Sequence, residues 1–63
     1  MSLKAIFKTV QNAADELDQT NIIIKNWDAI QSDDRRRQAI FHLKVIASDI
    51  LTASIDLEKE LGN

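Results

Sequence analysis

The apolar pattern of this chain changes phase once, within WDAIQSDDRRR at residues 27–37. Upstream, Leu3, Val10, Leu17 and Ile24 recur every seven residues, and Ile6, Ala13, Thr20 and Trp27 follow them three positions later. Spacings of three and four mark one face of an amphipathic helix. Downstream the same spacing returns through Ala39, Ile40, Leu43, Ile46, Ala47, Ile50, Ala53, Leu57 and Leu61. There Leu43, Ile50 and Leu57 take the seven-residue positions, which the first register would have given to Gln31, Gln38 and Val45. A two-residue offset turns the stripe by about 200° around a helix. A straight rod would therefore show its apolar stripe on opposite sides of its two halves. A chain that turns back near Gln31–Asp34 lets the two stripes meet.

The local chemistry supports a turn at that place. Ser32 or Asp33 can cap a new helix, because a side-chain oxygen there accepts a free backbone N–H. Asp33 and Asp34 add negative charge where the helix dipole favours it. Gly62 suits the position just past a helix end. The chain is expected to be all-α and one domain over residues 1–63, an antiparallel two-helix hairpin with helices over about 3–30 and 33–61. The absence of proline and the single glycine agree with long helices.

A chain of 63 residues buries little surface by itself. Chains of this size usually add disulfides, a metal or a partner chain. With no cysteine and one histidine, disulfides, thiolate sites and a multi-histidine site within one chain are excluded. A partner chain is what remains. The surplus apolar residues point the same way: Phe41, Val45, Leu51 and Ile55 lie off the main stripe of the second helix, and Ile22 and Ile23 flank that of the first. Trp27 stands near the turn as a large plug or a contact. These seven are expected to form the interface of a homodimeric four-helix bundle, or to receive another protein's helix. Thr20 and Asn21 interrupt the first stripe, where polar residues either fix register or meet water at the edge.

Arg35, Arg36 and Arg37 form the one basic cluster, and Lys44 lies two turns further on. They could contact phosphates. Asp28, Asp33 and Asp34 surround them, and Asp33 with Arg37 has the spacing of a helix ion pair. No aromatic platform for stacking bases lies beside them. His42, in FHLK, flanks the seam and is read as a boundary residue. Asp15 with Glu16 and Glu58 with Glu60 fall on outer helix faces, away from any pocket that could tune them for catalysis. There is no glycine-rich phosphate loop and no nucleophile motif.

The chain is accordingly expected to be a non-enzymatic interaction module without metal or cofactor. It would pair with itself and bind another protein as a small regulator or adaptor. The alternative is a nucleic-acid binder using Arg35–Arg37 and Lys44. No apolar run nears the roughly 20 residues that cross a bilayer, so no membrane partner is expected. The lack of cysteine fits a reducing cytoplasm.

Overall fold

A computed structural model describes residues 2–62. Helix α1 spans Leu3–Lys25 and helix α2 spans Asp33–Glu60, with a short 3₁₀ turn at Trp27–Ala29 between them. The two helices pack against each other as a hairpin. The body measures 48 × 15 × 13 Å, a rod more than three times longer than it is wide.

Each helix boundary has a residue-level cause. The Ser2 hydroxyl accepts the Ala5 N–H at 3.2 Å and caps the start of α1. Helix α1 ends at Lys25, five residues short of the expected Ile30. Asn26 is responsible. Its side-chain Nδ2 donates to the Ile22 carbonyl at 2.9 Å, and its own N–H turns to Ile23 and Ile24. Asparagine readily satisfies nearby backbone groups in this way and so competes with helix propagation. The chain then tightens: Ala29 donates to the Asn26 carbonyl at 3.0 Å and Ile30 to that of Trp27 at 3.1 Å. Ile30 and Ser32 are extended, and Ser32 caps α2 by accepting the Arg35 N–H at 3.4 Å. Asp33 and Asp34 occupy the first turn. At the far end Gly62 adopts φ +84°, the left-handed conformation that closes a helix cheaply, and donates to the Lys59 carbonyl.

The hairpin buries one line from each helix. These are Ile6, Ala13 and Thr20 from α1, and Ala39, Ile46 and Ala53 from α2. Both lines repeat every seven residues, and the antiparallel course sets Ile6 level with Ala53, Ala13 with Ile46, and Thr20 with Ala39. Each level thus joins a larger side chain to an alanine. Alternating large and small residues lets two backbones come close without a void. Thr20, polar but buried, belongs to the seam itself, while Asn21 is exposed. The other line of the first stripe stays outside: Leu3, Val10 and Leu17 are all exposed.

The seam should punish changes in both directions. Ile46→Ala is expected to cost about 2–5 kcal/mol through lost burial and a cavity. Ala13→Leu is expected to cost about 1–3 kcal/mol by overpacking. Urea unfolding followed by helical circular dichroism, at one fixed protein concentration, measures both. An Ala13→Leu variant as stable as the parent would show that the helices are not closely packed.

Candidate interaction surface

The turn and the exposed helix faces hold the candidate residues. At the turn, Arg36 folds back over the preceding segment. Its Nη2 donates to the Trp27 carbonyl at 3.1 Å, and its guanidinium carbon lies 5.5 Å from the centre of the indole. Asp33 stands 3.9 Å from Nη1. The cation gains from the electron-rich ring face, and the hydrogen bond gives the Trp27 carbonyl, which already accepts the Ile30 N–H, a second donor. Arg36 Nε is buried and has no hydrogen-bond partner, a cost the other contacts must offset. Trp27 is half-buried beneath this arginine. It lies in the 3₁₀ turn rather than on α1.

The arginines therefore do not act as three equal groups. Arg36 clasps the turn. Arg37 faces solvent and pairs with Asp34 at 3.5 Å. The acid partners stand three residues away, not four as the Asp33–Arg37 spacing suggested. Arg35 borders a shallow hollow with Asn26 and Ile30. Lys44 is exposed on α2. Nothing periodic in the sequence signalled the Arg36–Trp27 contact, because it joins residues nine apart across a bend.

Away from the turn, the exposed and half-buried apolar residues sort into two groups. On α1, Leu3, Phe7, Val10, Ala14, Leu17 and Ile24 follow alternating steps of four and three, with Asn21 the one polar member. On α2, Ile40, Leu43, Ala47, Ile50, Leu57 and Leu61 do the same, with Ser54 the polar member. Leu3 borders a common hollow with Ser54, Leu57, Glu58, Glu60 and Leu61. The two lines thus flank the same side of the seam and form one face along the hairpin. Phe7 is 68% exposed and Leu61 80%.

The second group lies on the other side of the seam. There Phe41, His42 and Val45 of α2 meet Glu16, Gln19 and Ile23 of α1 along a shallow groove. Ile22, Ile23 and Ile30 continue it toward the turn. Phe41 and Val45 lead along α2 through Ser48 and Thr52 to Ile55, all exposed. This side mixes apolar and polar groups. Leu51 is exposed between the two groups, beside Ala47 in the helix spiral. The seven residues expected to make one interface are thus spread over several surfaces. Leu3, Val10 and Leu17, which sequence spacing places in the hairpin's own seam, lie instead on the broader face.

Among the described residues no three His, Asp or Glu side chains gather as a metal site, and no helix is long and apolar enough to cross a membrane. No protein-family model, curated protein or solved structure matches the chain.

The turn clasp predicts a sharp contrast between neighbouring arginines. Arg36→Ala should lower stability by about 1–3 kcal/mol, the range for a charge-assisted hydrogen bond with its cation–π contact. Arg37→Ala, which removes an exposed ion pair, should change it by less than about 0.5 kcal/mol. Denaturant unfolding read by Trp27 fluorescence compares the two. Equal effects would deny Arg36 its special place.

Proposed function

We propose that the protein is a small, non-enzymatic helical interaction module that pairs with itself and acts as a regulator or adaptor by binding another protein. The observation that carries this reading is the amount of large apolar side chain left in water by a narrow, alanine-rich seam. Leu3, Phe7, Leu51 and Leu61 are each at least 60% exposed, and such contiguous patches mark places where another macromolecule sits. Closure into a homodimeric four-helix bundle would cover part of this surface. The mixed strip along Phe41, Val45 and Ile55 has the make-up of a reversible protein contact, apolar anchors among polar neighbours. A cytoplasmic setting suits a chain without cysteine.

The nucleic-acid alternative draws less support. Of the three arginines, Arg36 is held against Trp27 and Arg37 faces Asp34. Three carboxylates at Asp28, Asp33 and Asp34 balance the three guanidinium charges of the tip.

Two assays separate the readings. Fluorescence anisotropy with single- and double-stranded RNA and DNA of about 20 nucleotides should show no saturation below about 100 μM at physiological salt. Tight, steeply salt-sensitive binding that vanishes in Arg35→Ala/Arg37→Ala would favour the nucleic-acid reading. In parallel, immobilised protein should retain a protein partner that resists salt up to about 0.5 M, where exposed ion pairs are screened. That partner should be lost from Phe41→Ser/Ile55→Ser.

A further inference from the structure

We propose that the apolar face formed by Leu3–Ile24 of α1 and Ile40–Leu61 of α2 is the seam on which a second copy docks, leaving Phe41, Val45 and Ile55 outside the dimer. This rests on the homo-oligomeric reading above and assigns it one specific surface.

Area is the first support. The chain exposes 5185 Å². A folded monomer of 7.1 kDa exposes about 4,100 Å² by the scaling of surface with mass. The surplus is roughly 1,100 Å², and a standard interface removes about 800 Å² from each partner. One copy on one face accounts for a surplus of that size.

Shape and charge identify the occupant. The face is two helices wide and runs most of the hairpin's length, so a single docking helix would fill only its central valley. A second hairpin layer matches its width and its length. The two lines from Leu3 to Ile24 on α1 and from Ile40 to Leu61 on α2 contain no charged residue, and Glu58 and Glu60 border the face at its open end. Asn21 and Ser54 are its polar members. Two such faces meet through their uncharged lines with the carboxylates at the end, and charge-depleted cores are the mark of homodimer seams. The other groove presents Glu16, Gln19, Gln38 and His42 along its length, so polar groups interrupt that strip instead of bordering its end.

The levels also agree. The antiparallel course that sets Ala13 beside Ile46 sets Leu3 near Leu57, Val10 near Ile50 and Leu17 near Leu43 on the open face. Ala14 and Ala47 lie near mid-height. Bulky rows on either side of a small central one give a facing copy a place to approach closely. The face ends at the turn in Arg36, so the charged tip stays at the rim.

The experiment begins with light scattering after size exclusion, over about 1–100 μM chain, where a real dimer is set by mass action. The expected result is twice the 7.1 kDa chain mass. Leu17→Glu should shift the protein to monomer, and Phe41→Glu should leave the dimer intact. Because Leu17→Glu can also unfold the hairpin, a second readout uses the natural absence of cysteine. Ala14→Cys and Ala47→Cys, alone and mixed, are treated with a short bis-maleimide. At least one sample should give a covalent dimer, and Thr52→Cys should not. Cross-linking from Thr52→Cys alone would overturn this seam while sparing the homo-oligomeric reading. A folded wild-type monomer across the whole range would overturn both.

Discussion

Alanine at every level of the hairpin seam sets how closely the two helices approach, and the placement of each larger side chain follows from that. Ile6, Ala13 and Thr20 interleave with Ala53, Ile46 and Ala39, so the space between the backbones is filled by one larger residue at a time. Leu3, Val10, Leu17, Ile50 and Leu57 sit to one side of that line on their helices and stay exposed. They line up on the flank because both helices keep the same repeat. The exposed face therefore follows from the same repeat as the seam and is not an accident of composition.

The same constraint limits the hairpin's own stability. Ordering the backbone costs on the order of 1–2 kcal/mol per residue, and hydrophobic gain scales with the apolar area removed from water. Among the described residues, Ile6 and Ile46 are the only large aliphatic side chains fully within the seam. A two-helix hairpin has no second layer from which to bury more. Covering the flanking face is the most direct way for such a hairpin to acquire an interior. The turn contributes through specific contacts instead. Asn26 stops α1, the 3₁₀ bend carries Trp27 forward, and Arg36 reaches back from α2 to hold it.

Much of this fold was legible in the sequence because helical periodicity is a strong signal over twenty or more residues. The phase change at residues 27–37 located the reversal, and Ser32 marked the start of α2. The end of α1 was not legible in the same way. Apolar spacing ran on through Trp27 and Ile30, while the decision lay with one asparagine side chain and its bond to Ile22. The candidate surface was half legible. Sequence spacing picked out Phe41, Val45 and Ile55 because they stand off the main stripe. It merged the buried line of Ile6 and Ala13 with the exposed line of Leu3 and Val10, since a 3–4 repeat alone cannot say which of two adjacent lines a close-packed partner will cover. The small size of Ala13, Ala39 and Ala53 was the available clue. The role of Arg36 depended on a bend whose geometry no periodicity encodes.

The seam's ladder of levels also gives the hairpin an order of assembly. Thr20 and Ala39 are 19 positions apart along the chain, Ala13 and Ile46 are 33 apart, and Ile6 and Ala53 are 47 apart. Loop-closure entropy rises with the length of chain enclosed, so the level beside the turn costs least to form and each later one is shortened by those before it. Enclosed length alone thus favours closure from the turn toward the termini. The open end, where Leu3 meets Leu57 and Leu61, is the last to join and the first to fray. It is also where the apolar face is most exposed, at Leu3, Phe7 and Leu61.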